Sequence, residues 1–401
     1  MSKKSSPDRV MSLKRILYIS TAKSKDDRAE WSGTVYSSLR SLERAGFEVD
    51  YLNALRGAGH DFFDKLWARY WCWIADRWEK NVRFDESFYT MRMMRKVLDR
   101  VDYSGYDVIF VPTDMCIVSA LPKRVKAKIV HLVDAPVDSL FDYYTEFSNL
   151  TWQNRFEASH LTKRAFRRAD LIIASSDWCK AESVKHCGID PDKIAVVEFG
   201  ANIDREDIPA KSKAYCADRP LRVYWSGVNW ERKGGDVALD ACRTLTERGL
   251  AVEFHITGMR RLPAEAEGLP WVVNHGFLNK NNPEEYRRLV GIMGEMDIFL
   301  FPSRAECSSI ALCEANGFGL PCFVYDTGGT ANYVINGKNG YMLPLAATGS
   351  DFADKIAEAI SEGRLEVLSS GAVEHYNARL NWDVWKNKVA KAIDLLPGMG
   401  R

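Results

Sequence analysis

Short apolar runs recur along this chain with helical stretches between them, and that alternation constrains the fold more than any other feature. Residues 15–20, 48–52, 107–112, 128–133, 171–175 and 194–199 read as strands, with helices such as 34–45 and 154–168 between them. Runs with so little polar alternation suit strands covered on both faces, which crossover helices on a parallel sheet provide. Residues 205–220, with Pro209, Lys211, Ser212, Lys213, Asp218 and Pro220, have linker composition. A second alternation follows: strands at 222–225, 252–257, 271–275, 298–301, 322–325 and 340–343, and helices at 236–248, 283–294 and 310–317.

The expected architecture is α/β, with two Rossmann-like domains facing a deep cleft: 1–204, a linker at 205–220, and 221–380. A terminal helix over 381–401, opening Asn381-Trp-Asp-Val-Trp385, is placed to cross back to the first domain. At 401 residues and 46% hydrophobic, the chain is too long for one ordinary core.

Charge and cysteine usage narrow the function classes. A net charge of +1 argues against a nucleic-acid binder that neutralises many phosphates across one face. The nine cysteines are odd in number, scattered, and form no Cys-x-x-Cys pair, which reads as reduced thiols. Residues 1–7 are polar and the apolar run 16–19 is too short for a signal peptide or a span, so a cytoplasmic protein is expected. Residues 60–80 place Phe62, Phe63, Leu66, Trp67, Tyr70, Trp71, Trp73, Ile74 and Trp78 at helical spacing among Lys65, Arg69, Arg77 and Lys80. Three readings stay open for it: a helix packed on its own domain, a peripheral contact with the inner membrane face, or a hydrophobic rim for an acceptor.

Chemistry gathers where strands end. Phe301-Pro-Ser-Arg-Ala-Glu306-Cys-Ser-Ser-Ile-Ala-Leu-Cys-Glu314-Ala puts Glu306 on the loop after a strand and Glu314 inside the next helix. Carboxylates accept from vicinal hydroxyls, while the helix's first turn and nearby cations suit a phosphate between them. Ser226-Gly227-Val-Asn-Trp-Glu-Arg232-Lys233-Gly-Gly places two cations before a helix, without phosphate-loop spacing. Asp326-Thr327-Gly328-Gly329 and Trp31-Ser-Gly33-Thr34 occupy equivalent loops. Each pattern also occurs as a plain turn or solvated face; together they describe a sugar-nucleotide site. Asp190-Pro-Asp192 precedes a strand and reads as a turn, not a metal motif.

The series Ser226-Gly, Arg-Lys-Gly-Gly235, Thr257-Gly258, His275-Gly-Phe277-Leu278, Phe-Pro-Ser303, Glu-x7-Glu, Gly319-Leu-Pro321, Thr327-Gly-Gly329 and Asn336-Gly-Lys-Asn-Gly340 resembles the retaining glycosyltransferases of family 4, which have the GT-B fold. The match spans about 220–345; Trp31-Ser-Gly-Thr34, Ser175-Ser-Asp-Trp178 and Glu198-Phe-Gly-Ala-Asn-Ile-Asp204 carry it more loosely in the first half. The resemblance implies that Glu314 binds the donor ribose and that Glu306 contacts the sugar near the reacting carbon. Arg232 and Lys233 would neutralise the departing diphosphate, while Ser308, Ser309, Thr327, Gly328 and Gly329 would contact sugar and phosphate. Phe277 and Leu278 would line the nucleobase slot, Gly227 would sit beneath the diphosphate, and Gly33 would face it from the other domain.

Three positions depart from the family pattern. Val228 stands where many members have arginine, and Cys307-Ser308-Ser309 replaces Gly-Phe-Gly. Asp134, in His131-Leu-Val-Asp134, takes the strand-end place where a histidine often touches the sugar.

The implied reaction moves a sugar from a nucleoside diphosphate sugar to a glycan or lipid-linked hydroxyl with retention, using neither cofactor nor metal. The alternatives are an inverting GT-B transferase or sugar-nucleotide epimerase, and a non-catalytic nucleotide-sugar-binding or membrane-docking protein.

Overall fold

A computed structural model describes residues 14–58 and 62–399; residues 1–7, His60 and the Phe63 side chain, which entered the expectations above, lie outside that description. The first half runs β1 (Arg15–Ser20), α1 (Thr34–Arg44), β2 (Glu48–Asn53), α2 (Phe62–Trp78), α3 (Phe88–Leu98), β3 (Val108–Pro112), α4 (Met115–Ala120), β4 (Lys128–Val133), α5 (Trp152–Arg168), β5 (Leu171–Ala174), α6 (Asp177–Cys187) and β6 (Ile194–Val196). The second runs β7 (Leu221–Ser226), α7 (Gly235–Glu247), β8 (Val252–Thr257), β9 (Val272–Asn274), α8 (Pro283–Glu295), β10 (Ile298–Phe301), α9 (Ile310–Gly317), β11 (Cys322–Tyr325), β12 (Gly340–Leu343), α10 (Gly349–Ser361), α11 (Leu365–Ala378) and α12 (Trp382–Asp394).

Both sheets are six-stranded, in the orders β2-β1-β3-β4-β5-β6 and β12-β11-β10-β7-β8-β9, and every ladder is parallel. Strand order reverses between β1 and β3 in the first sheet and between β10 and β7 in the second. The carboxyl ends of such strand pairs leave an open crevice, the usual place for a ligand in this layout. The expected strand 194–199 stops at Val196, because the chain turns there toward the second half: Phe199 packs edge-on to Trp31 and stacks with Trp382.

Residues 205–220 are docked along the second half. The Ala210 N–H donates to the Gly317 carbonyl at 3.1 Å, and Lys213 Nζ caps the end of α8 through the carbonyls of Met293, Gly294 and Met296. Helix α12 lies against the first half, where the fully buried Trp385 meets Phe110 of β3 at 6.3 Å. All nine cysteines are free thiols.

Helix α2 is held by a narrow stripe. Trp71 is fully buried and Asp64 pairs with Arg92 and Lys96 of α3, while Leu66, Tyr70, Trp73 and Trp78 face outward, Trp73 61% and Trp78 69% exposed. Packing on its own domain therefore accounts for one edge of the aromatic pattern and leaves the rest uncovered. A bridge between Asn81 and Leu150 sets the end of α2 beside the start of α5, which exposes Trp152 and Phe156. Among the described residues no helix is long and apolar enough to cross a membrane.

Glu198 ties the halves and the C-terminal helices together. Its fully buried carboxylate accepts from Arg379, from Lys388 at 3.1 Å, and from Asn332 of the second half at 3.2 Å. Burial opposes its ionisation, yet the backbone amide, Lys388 and Arg379 outweigh that and hold its pKa below the ordinary glutamate value. Glu198→Ala is expected to cost about 2–4 kcal/mol in urea denaturation at pH 7, since it strands the partners of a buried carboxylate. A depressed acid pKa stabilises above the unfolded value, so the difference between parent and variant should fade as pH drops below about 4.5.

Candidate active site

The loops after β7 and β10 meet at the second sheet's switch point. Gly234, at the start of α7, has φ +67°, and a Cβ there would lie 1.9 Å from the Pro302 carbonyl oxygen, so only glycine lets the two loops touch. Arg304 N–H donates to the Arg232 carbonyl at 2.8 Å, and Ser303 Oγ donates to the same oxygen at 3.3 Å. Backbone contacts thus set Lys233 opposite Glu306, whose Oε2 accepts from Lys233 Nζ at 2.7 Å. Burial lowers the Lys233 pKa despite the neighbouring carboxylate. Arg232 donates to the Ala305 carbonyl at 3.2 Å and lays its guanidinium over the Tyr144 ring at 4.7 Å, while its Nε is buried without a partner.

Glu314, one turn into α9, pairs with Lys280 from the loop after β9. Each of the two glutamates therefore carries a lysine. Ser309 caps α9 by accepting from Leu312 N–H, so part of that helix's first turn is already satisfied. Helix α7 follows Gly234 with no side-chain cap, but its first amide is already taken, Gly235 N–H donating to the Trp230 carbonyl at 2.8 Å, so the positive groups this loop offers are the side chains of Arg232 and Lys233.

A cavity of about 430 Å³ brings Arg232, Lys233, Glu306 and Glu314 together with Gly227, Phe277, Leu278, Ser308 and Ser309. Tyr224, Thr257 and Phe301 form its inner wall, and Trp31, Ser32 and Thr34 of the first half form its outer one. Gly33 itself faces a neighbouring cavity. Thr327, Gly328 and Gly329 stand behind the Glu306 loop rather than on the cavity wall: Gly329 N–H donates to the Glu306 carbonyl at 3.0 Å, and a Cβ on Gly328 would lie 2.0 Å from that oxygen. Their backbone buttresses the loop. Val228 lies at the mouth, 68% exposed.

Asp134 directly follows β4 and accepts from Trp31 Nε1 at 3.3 Å. Burial pushes its carboxyl up to about 6, and the Glu306 charge adds to that. His131 is a core residue, fully buried between the Val111 carbonyl and Met115, with its pKa lowered to about 4 by burial. Trp31 and Ser32 hold φ of +47° and +57°, the left-handed region that costs a non-glycine residue about 1–2 kcal/mol. Among the described residues no group of three or more His, Cys, Asp or Glu is placed to hold a metal.

Two features of the site escaped the sequence reading. Lys280 follows the Phe277-Leu278 pair closely enough that the motif pointed to its loop, though not to its ion pair. Tyr143 and Tyr144 sit in an aromatic stretch without periodicity, so nothing in the sequence signalled that they reach Glu306 and Cys307.

Two family models match the chain: glycosyltransferase family 4 over residues 33–205 and glycosyl transferases group 1 over residues 219–362. The putative colanic acid biosynthesis glycosyltransferase WcaL of Salmonella typhimurium is 28% identical over 263 residues, 59% of this chain and 62% of that protein. The chain thus matches about three-fifths of that relative's length. Sucrose-phosphate synthase from Thermosynechococcus elongatus superposes with a TM-score of 0.67 at 14% identity, over 94% of this chain and 98% of that one. Anabaena HepE, solved with UDP and glucose, gives 0.64 at 16% identity, over 95% and 99%.

The Asp134 environment makes a prediction that needs no substrate. A raised acid pKa means the ionised carboxylate opposes folding at neutral pH and the native state gains stability as it takes up a proton. Asp134→Asn should raise thermal stability at pH 7.5 by about 1–3 kcal/mol, and the gain should shrink as pH falls from about 6 toward 3.8. Calorimetric scans of both proteins across that range check it.

Proposed function

Since the chain belongs to the group 1 and family 4 glycosyltransferases and has their GT-B fold, we propose that it transfers a sugar from a nucleoside diphosphate sugar to a hydroxyl of a glycan or lipid-linked acceptor, with retention of anomeric configuration. One observation carries this reading: a single cavity at the switch point holds Glu306 with Lys233, Glu314 with Lys280, and Arg232.

A nucleoside diphosphate sugar has hydroxyl pairs at both ends and an anion between them. Glu314 would take the ribose hydroxyls, exchanging Lys280 for them, and Phe277 and Leu278 would flank the base. The diphosphate would lie against Arg232 and Lys233, leaving Glu306, Ser308 and Ser309 at the sugar. Negative charge grows on the diphosphate as the anomeric bond loosens, so cations aimed there stabilise the transition state more than the ground state. Asp134 and Trp31 face the sugar from the first half, where the acceptor hydroxyl must approach. Same-face attack would preserve the configuration without a covalent enzyme intermediate. On this reading the leaving group's charge is met by the Arg232 and Lys233 side chains, which calls for no divalent metal.

The acceptor side involves α2. Its exposed aromatic residues with Lys65, Arg69, Arg77 and Lys80, beside Trp152 and Phe156, suit an anionic bilayer carrying a lipid-linked acceptor, which would make the protein peripheral at the inner face. Flotation should recover the parent with anionic vesicles, and a Trp73→Ala/Trp78→Ala variant should stay at the bottom; equal recovery of the two would discard the membrane contact.

The transfer itself is tested by thermal shift with UDP, GDP and ADP sugars, UDP sugars first because HepE holds UDP and glucose, followed by NMR of the product's anomeric proton. Retention is the expected result; inversion or epimerised donor would overturn the reading. Glu306→Gln should keep its far-UV spectrum and lose about 100-fold or more in kcat.

A further inference from the structure

The connection from β4 to α5 leaves the first half and reaches the second. It turns at Asp142, where φ is +61°, and presents Tyr143 and Tyr144, stacked at 5.5 Å, to the loop that carries Glu306. The Glu306 N–H donates to Tyr143 Oη at 2.9 Å, and the Cys307 N–H donates to Tyr144 Oη at 3.1 Å. Tyr143 Oη also shares a hydrogen bond with Thr327 Oγ1 at 2.8 Å. Two consecutive amides of one half therefore find their acceptors on the other.

The strap is itself firmly seated. Arg155 of α5 donates through both Nη atoms to Asp142 Oδ2 at 2.9 Å and covers the Phe141 ring at 4.6 Å. Val137, Phe147, Leu150 and Ala158 form a small separate core beneath it, with Arg83 over Phe147 at 4.0 Å. The tyrosines are thus carried on a braced element.

We propose that Tyr143 and Tyr144 are positioning residues, whose phenol oxygens hold the Glu306–Cys307 amides so that the Glu306 carboxylate is set for reaction only while the strap is seated on the second half. This rests on the reading of Glu306 as the group at the reacting sugar. A side chain's direction follows its peptide planes, and two anchored successive amides leave the loop little freedom. Without the phenols those amides would lose their acceptors in a poorly hydrated cleft, and the loop would shift to find others. Closure and carboxylate order then become one event. Tyr144 has a second duty, since its ring face supports Arg232.

The test uses the full chain and phenylalanine variants, which keep both rings and remove only the acceptors. Hydrogen exchange read by mass spectrometry needs no substrate. In Tyr143→Phe/Tyr144→Phe, uptake in a peptide spanning 303–309 should accelerate about 10-fold or more, while peptides covering β11 and α11 stay as in the parent. Unchanged uptake at 303–309, or acceleration spread evenly through the second half, overturns the proposal.

With the donor found by the thermal-shift panel, the double variant should lose about 10- to 100-fold in kcat and keep its nucleoside diphosphate Kd within about twofold. Parallel loss of both would mark the tyrosines as plain cement between the halves. Tyr144→Leu removes the platform under Arg232 as well, and should weaken nucleoside diphosphate binding where Tyr144→Phe does not. A parent that turns over no donor would defeat the glycosyl-transfer reading, while the exchange result would still decide the role of the tyrosines.

Discussion

Lys233 and Glu306 face each other where little water reaches them, and the arrangement of the cleft follows from that confinement. An ion pair this sheltered gains Coulomb energy but loses most of two hydration shells, so its net contribution to stability is small and its geometry must be enforced from outside. The enforcement is mainly backbone. Arg304 N–H meets the Arg232 carbonyl, Gly234 rests on Pro302, and the Gly329 amide reaches the Glu306 carbonyl. Cross-bracing of this sort is nearly indifferent to pH and salt, which suits a site whose own charges must answer to a ligand.

The second pair works differently. Lys280 comes from a loop that also touches the first half, where Asn281 Oδ1 accepts from Arg28 N–H at 3.1 Å. A cation on such a loop can move with little cost to the framework, because the loop's own contacts, and not the ion pair, hold it in place. Both carboxylates are buried, so what separates them is the element that brings the lysine: a cross-braced loop of the second half for Glu306, and a loop that also touches the first half for Glu314.

Much of this was legible beforehand because parallel α/β chains place their chemistry at strand ends, and the strand ends were marked by apolar runs breaking at Ser226, Thr257 and Phe301. Glu306, Glu314, Arg232, Lys233, Phe277 and Leu278 share one cavity for that reason. The backing role of Thr327 to Gly329 was not legible, since a glycine pair looks the same whether it admits a phosphate or another loop. Nor was the tyrosine strap: Tyr143 and Glu306 are 163 positions apart, and no local periodicity encodes a contact between separate sheets. For α2 the helical spacing was plain, but its buried side is chosen by Trp71 and Asp64, one aromatic among many and one acid among many.

Trp385 fills space beneath β3 although some 270 residues separate it from Phe110. During synthesis, the first sheet must wait for the entire second half to emerge before that gap can be closed, roughly 10 to 60 s at ordinary ribosomal speeds. Until then its underside is an unfinished apolar surface. A helix some 270 residues downstream thus seals the first sheet, so a nascent chain stalled before it would present a half-built protein to the cell's chaperones.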